Sequence, residues 1–159
     1  MGIIAHPRLR LLIIGAAIDG LYSRHILDRI RYLNWINYLG EIPHAQMQSL
    51  LLTGDVVLNT STSEGQPQGA LEAMSLGKPC ILSAVPGNLK LIEEGIEGFY
   101  VQGEADLISA ANTLINDPAR RAAMGKNAQN LVKTSFSLER EIDAYSTIYN
   151  NLLSDPKLF

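Results

Sequence analysis

The chain has 159 residues, 47% apolar and 18% charged, with a formal net charge of −3. That length carries one domain with a proper core, and the charge leaves no basic footprint for a nucleic-acid partner. A lone cysteine, Cys80, rules out an internal disulfide framework, and no apolar run approaches the roughly 18 residues that cross a bilayer.

Leu11-Leu12-Ile13-Ile14 is too short for the core of a signal peptide and is followed by Gly15-Ala16-Ala17-Ile18-Asp19. With no leader, membrane span or disulfide in view, a cytoplasmic setting is the default expectation. The same run, ended by glycine, has the pattern of a parallel strand buried on both faces. It begins almost at Met1, in what reads as mid-sheet, so a fragment or a shortened form is expected.

From Leu21 to Leu33 the apolar residues Leu21, Ile26, Leu27, Ile30 and Leu33 keep helical spacing, and His25 on that helix is expected to be exposed or partly packed. Trp35 to Leu39 reads as a second strand closed by Gly40. A turn at Glu41-Ile42-Pro43 leads to a short helix, 44–52, whose Leu50-Leu51-Leu52 should be well covered. Asp55 to Asn59 is a third strand and Pro79 to Ser83 a fourth. In the latter Cys80 reads as a small buried hydrophobe rather than a reactive thiol. Pro86-Gly87-Asn88 is a turn, followed by a short helix to Glu94. Gly98 to Val101 is the last strand. Three helices follow: 104–115; one from the cap Asp117-Pro118 to Lys133; and one opening at Ser137 with Leu138, Ile142, Tyr145, Ile148, Tyr149 and Leu152 on one face, for core or interdomain packing. The tail from Ser154 should be loose. Strands alternating with helices imply an α/β domain: a Rossmann-like doubly wound parallel sheet with C-terminal helices, a single unit over residues 1–159 with its core at about 10–152.

The most informative stretch is Thr62-Ser63-Glu64-Gly65-Gln66-Pro67-Gln68-Gly69-Ala70-Leu71-Glu72-Ala73-Met74. It joins the third strand to a helix that stops at Gly77, which is where open α/β sheets bind ligands. Pro67 suits the first helical position, and the amides of Gln68, Gly69 and Ala70 would then be unpaired donors at the positive helix end, a seat for an anion. Glu64 and Glu72 flank that seat. Carboxylates so placed suit neighbouring hydroxyl groups rather than the anion itself.

Ser63-Glu64-Gly65-x-Pro67-x-x-x-Leu71-Glu72-Ala73-Met74-x-x-Gly77-x-Pro79 closely resembles the signature of the family-4 retaining glycosyltransferases, the glycosyl transferases group 1 domain. Ordered landmarks agree: Leu12-Ile13-Ile14-Gly15, Tyr38-Leu39-Gly40-Glu41-Ile42, Gly95-x-x-Gly98-Phe99-Tyr100-Val101, and Phe136-Ser137 before a tyrosine-bearing helix. The resemblance implies the C-terminal, donor-binding half of a two-domain GT-B enzyme, taking a nucleotide-diphosphate sugar as donor and an unknown sugar acceptor. It implies Glu72 at the ribose, Glu64 at the transferred hexose, Gln66, Gln68 and Gly69 at the diphosphate, and Glu41 and Ile42 beside the base. No cofactor beyond the donor and no metal is implied, since there is no Asp-x-Asp motif or His/Cys cluster.

Two departures stand out. The family's arginine and lysine that grip the diphosphate lie on an earlier segment; here no lysine precedes Lys78, and Arg8 and Arg10 are misplaced for that pattern. Two such charge-assisted contacts, at about 1.5–3 kcal/mol each, are worth about two to four decades of affinity. Lys90 stands where the family often has glutamate. With the N-terminal acceptor domain also absent, the chain is expected to be inactive alone. The alternative is a non-catalytic protein-interaction module, or a shortened isoform keeping part of the donor site. A dinucleotide oxidoreductase is disfavoured because Gly15-Ala16-Ala17-Ile18-Asp19-Gly20 lacks the G-x-G-x-x-G spacing. A pyridoxal-phosphate phosphorylase lacks a suitable lysine, and for a paired-carboxylate hydrolase no apolar pocket can be read around either glutamate.

Overall fold

The computed structural model describes residues 6, 7 and 9–154; Arg8 and the expected tail beyond Ser154 lie outside them. Strand β1 (Leu11–Ile14) leads through α1 (Gly20–Ile30) to β2 (Ile36–Gly40), and α2 (His44–Thr53) carries the chain to β3 (Val57–Asn59). Helix α3 (Gln68–Ser75) leads to β4 (Cys80–Ser83), which turns rather than a helix join to β5 (Gly98–Val101); α4 (Glu104–Asn116), α5 (Pro118–Ser135) and α6 (Leu138–Ser154) follow. All strand pairing is parallel, as expected of a Rossmann-like doubly wound α/β fold. The strands hydrogen-bond in two groups, β1-β2 and β3-β4-β5.

The core is built around β4. Its side chains alternate between two apolar clusters: Cys80 and Leu82 pack with Ala73, Met74 of α3 and Ala128 of α5, whereas Ile81 packs with Ala110 and Leu114 of α4 and Met124. A strand buried on both faces by helices is what its uninterrupted apolar run demands. Cys80 has no exposure and burial pushes its thiol up to about 12, which fits an inert packing residue.

Helix α3 ends in a Schellman motif. Gly77 takes φ +73 and donates to the Met74 carbonyl at 2.9 Å, while Lys78 donates to that of Ala73 at 3.0 Å. Helix α5, capped by the Asp117 carboxylate on the Arg120 amide (2.8 Å), then crosses so closely that a Cβ on Gly125 would stand 2.0 Å from the Gly77 carbonyl oxygen.

Several expectations are corrected. No short helix follows Pro86; residues 86–90 form turns, because the buried Asn88 side chain bonds away from its own segment and Lys90 adopts φ +74. The third strand starts at Val57, since Asp55 pairs instead with Arg121 of α5 (3.5 Å). Strand β1 is not buried on both faces: it has a paired neighbour on one edge, Leu12 is 38% exposed, and no described residue before Pro67 is buried. Of the leucines at 50–52, Leu51 reaches the core while Leu52 is exposed. The apolar face of α6 (Leu138, Ile142, Tyr145, Ile148, Tyr149, Leu152) is exposed throughout, so it contributes nothing to this core.

Gly125→Ala should destabilise the fold by about 1–3 kcal/mol, the usual cost of overpacking, because the contact it blocks is backbone on backbone. Thermal denaturation would measure it. Cys80 should resist a thiol reagent at pH 8 until denaturant is added.

Candidate functional site

The carboxyl ends of β3 and β4 and the start of α3 converge on one set of polar groups. Asn59, the last residue of β3, donates through Nδ2 to Glu64 Oε1 at 2.9 Å, and Ser61 donates through Oγ to the same oxygen at 2.7 Å. The Ser61 amide returns to Asn59 Oδ1 at 3.2 Å, closing a tight polar loop. Ser83, at the end of β4, donates its hydroxyl to the Ser61 carbonyl at 2.6 Å. Asn88 is wholly buried and its Nδ2 lies 2.8 Å from the Ser83 carbonyl and 3.3 Å from Asn59 Oδ1. Below it the Tyr100 hydroxyl donates toward the Asn88 carbonyl at 2.9 Å and accepts from the Ile92 amide at 3.1 Å.

The electrostatic consequence falls on Glu64. Donation from Ser61, and secondarily from Asn59, holds its carboxyl below the ordinary value of 4.5. Both donors use Oε1, so Oε2 keeps its lone pairs for an outside hydroxyl. Gly87 sets the position of this loop: a Cβ there would stand 2.0 Å from the Glu64 carbonyl oxygen, so only glycine allows the approach.

At the start of α3 the reading of the helix cap needs one correction. Pro67 stands at the N-cap rather than the first helical position, and its carbonyl accepts from Ala70 at 3.0 Å and Leu71 at 3.1 Å. Ala70 is therefore not a free donor. The amides of Gln68 and Gly69 have no partner among the described residues and remain available at the positive end of the helix. Gln66 and Gln68 are exposed and bonded to each other, Nε2 of Gln68 to Oε1 of Gln66 at 3.1 Å.

Glu72 lies further along α3, in the wall of a hollow of about 310 Å³ that it shares with His44, Ala45, Gln48, Ser75 and Leu76. Its carboxylate has no protein partner among the described residues. Glu41 is exposed and Ile42 half-buried in the turn leading into α2; neither lines this hollow, but His44 follows them at its rim. Gly69 lines a separate groove of about 430 Å³ with Ile14, Leu58, Thr60 and Ser61. The fold thus gathers Glu64, Gln66, Gln68 and Gly69 around one helix start and puts Glu72 with the α2 terminus. Sequence reasoning missed Asn59, Ser61, Ser83, Asn88, His44 and Gln48. The polar residue closing β3 was the available signal, since strand ends of this fold face ligands.

The sequence matches the family described as "Glycosyl transferases group 1" over residues 3–131. The chain belongs to this family. "Glycosyltransferase 1 domain-containing protein 1" of Xenopus tropicalis is 27% identical over 146 residues, covering 92% of this chain and 42% of the relative. The Anabaena protein HepE in complex with UDP-glucose superposes with a TM-score of 0.81 at 27% identity, covering 95% of this chain and 42% of that one. The C-terminal domain of a group 1 glycosyl transferase (LpcC) from Francisella tularensis superposes with a TM-score of 0.76 at 21% identity, over 84% of this chain and 72% of its own. The chain spans about two fifths of the length of the first of these relatives, and corresponds to the C-terminal half of a GT-B glycosyltransferase. Among the described residues no helix is long and apolar enough to cross a membrane.

Asn59→Ala should raise the Glu64 pKa toward 4.5, seen by carboxyl-carbon NMR titration. The sign follows from linkage: stability from this depressed carboxyl is present above about pH 4.5 and lost as pH falls through the lowered value, and the substitution narrows that window. Gly87→Ala should displace the 61–66 loop, shifting the Ser61 and Glu64 amide resonances while those of α4 stay in place.

Proposed function

We propose that this chain is the donor-binding domain of a retaining glycosyltransferase that transfers a hexose from a nucleotide-diphosphate sugar. The observation that supports it most is the division of labour around α3: two amides at a helix start without partners among the described residues, with a carboxylate on either side whose remaining oxygens have no donor among them. Amides at a helix start suit a diphosphate, and carboxylates suit vicinal hydroxyls.

On this reading Gln68 and Gly69, with the Gln66 side chain, hold the diphosphate and stabilise the charge that grows on it as the bond to the sugar breaks. Glu64 Oε2 accepts from a hexose hydroxyl, its carboxylate fixed in place by Asn59 and Ser61. Glu72 takes the ribose hydroxyls, and the turn at Glu41 and Ile42 borders the base above His44. HepE bound to UDP-glucose is a relative of matching fold, which favours a uridine donor as the first to test.

Donor affinity should be weak. The helix terminus offers about 0.3–2 kcal/mol, less than the two charge-assisted contacts the family adds from an earlier segment. The chain alone should therefore bind UDP in the millimolar range and transfer no sugar, the acceptor face belonging to a separate N-terminal domain. The fully exposed apolar stripe on α6 favours a second, non-catalytic reading in which this domain docks another protein.

Titration of UDP, GDP and ADP followed by amide NMR would decide. At least one should shift the Gln68 and Gly69 amides saturably, with Glu72→Ala weakening it about tenfold or more, the loss of one hydrogen bond to a charged group. If none does at 20-fold excess over a millimolar dissociation constant, the donor reading fails and the docking reading takes its place.

A further inference from the structure

The polar network behind Glu64 has a direction, fixed at each link by a group that can act in only one way. The Ser83 carbonyl can only accept, so the Asn88 amide must turn its Nδ2 toward it, at 2.8 Å. The same nitrogen then faces Ser83 Oγ at 3.2 Å and Asn59 Oδ1 at 3.3 Å. Ser83 Oγ gives its own hydrogen to the Ser61 carbonyl at 2.6 Å, so toward Asn88 it accepts. The Ser61 amide can only donate, and it meets Asn59 Oδ1 at 3.2 Å. The Asn59 side chain therefore has its oxygen toward Asn88 and Ser61 and its nitrogen toward Glu64. The bonds run one way, from Asn88 through Asn59 to Glu64 Oε1.

Asn88 is the anchored end of this series. Ser61 and Glu64 share one loop, so the bond between them does not fix that loop against the sheet. Asn88 belongs to a separate turn and is wholly buried. Its backbone is held too: the amide donates to the Val85 carbonyl at 2.9 Å, and the carbonyl accepts from the Tyr100 hydroxyl at 2.9 Å. Its Oδ1 is buried with no partner among the described residues. An unpaired buried acceptor is costly, but turning the amide over would set Oδ1 against three oxygens. The side chain keeps its donors on Ser83 and Asn59 and leaves the acceptor unmade. No cation takes part. The ion pairs Arg31–Asp28 and Arg121–Asp55 lie elsewhere, and the Glu64 carboxyl is held below its ordinary value by Ser61 and then Asn59.

We infer that Asn88 is the positioning residue for Glu64: by holding Asn59 Oδ1 it commits Asn59 Nδ2 to Glu64 Oε1, and so fixes Oε2 as the oxygen that meets a ligand. Its bearing on sugar transfer rests on the donor reading above, in which Oε2 takes a hexose hydroxyl; the relay itself does not. Asn88 acts only through Asn59 and touches no ligand.

NMR titration of the Glu64 carboxyl carbon tests the relay. In the unaltered chain the Asn59 Nδ2 protons should shift with the same midpoint as that carbon. Asn88→Ala should raise the Glu64 pKa, as Asn59→Ala does. In an Asn59→Ala background it should raise it no further, since the two act in series. Asn88→Val fills more of the buried space and should do the same. The amides of Cys80 to Leu82 and of α4 report an intact fold in each variant. General loosening of the 61–66 loop would also weaken the Ser61 bond, so an equal rise in both backgrounds overturns the relay. Separate midpoints for Asn59 and Glu64 in the unaltered chain overturn it without any substitution. A second arm reads sugar binding. Asn88→Ala should leave UDP affinity at the Gln68 and Gly69 amides unchanged and weaken UDP-glucose about two- to tenfold, the worth of one modest hydrogen bond. Equal loss for both ligands removes Asn88 from sugar positioning. Failure of the unaltered chain to bind either one sinks the donor reading, while the titrations still decide the relay.

Discussion

Asn88 ties together the parts of the molecule that matter most. It is wholly buried, and its amide nitrogen reaches the end of β4 at Ser83 and the end of β3 at Asn59. Through Asn59 and Ser61 the same network fixes the Glu64 carboxylate. The bonds between neutral groups are modest, about 0.5–1.5 kcal/mol each, and those onto the Glu64 carboxylate are charge-assisted; in a buried setting an unmade bond costs more than a made one gains. The Asn88 Oδ1 atom has no partner among the described residues, so the amide works here through its donor side. The turn around Pro86 is therefore not a loose connection. It is the rear support of a loop whose front carries the carboxylate, and the absence of a side chain at Gly87 lets the two come into backbone contact.

The division of burial within the chain follows the same boundary. From Pro67 onward every β-strand has a helix against it, and β4 sends Cys80 and Leu82 into one cluster and Ile81 into the other. Before Pro67 the sequence is equally apolar, but those residues have fewer neighbours to pack against. Apolar character in the sequence records what a segment is suited to bury; the burial itself depends on which elements are present to cover it. The start of α3 lies at this boundary, with the helix rooted in the packed half and Gly69 and Glu72 lining hollows shared with Ile14 and His44 of the sparse one.

Much of this was legible from the residues. Strand Gly98–Val101, the stop at Gly77 and the cap at Asp117-Pro118 were read with the right chemistry, because each rests on a local rule about glycine, proline or a capping carboxylate. The alternation of strands and helices gave the fold class, and the Glu64-to-Glu72 motif gave the family. What was not legible depended on distance in sequence. Asn59 and Asn88 are 29 residues apart, and nothing in either's neighbours announces the other. The helix expected after Pro86 has acceptable propensity, and tertiary bonds to Asn88 override it. The coverage of β1 failed for a related reason: periodicity says that a strand is suited to burial, never that its partner lies within reach.

The Schellman stop at Gly77 has a consequence beyond ending a helix. Its carbonyl is the point on which Gly125 rests, so the end of α3 and the middle of α5 meet with no side chain between them. Such a contact has little give, and a rigid junction transmits displacement instead of absorbing it. A side chain at Gly125 would therefore have to push the end of α3 away from α5, so this one position fixes how closely the two helices approach.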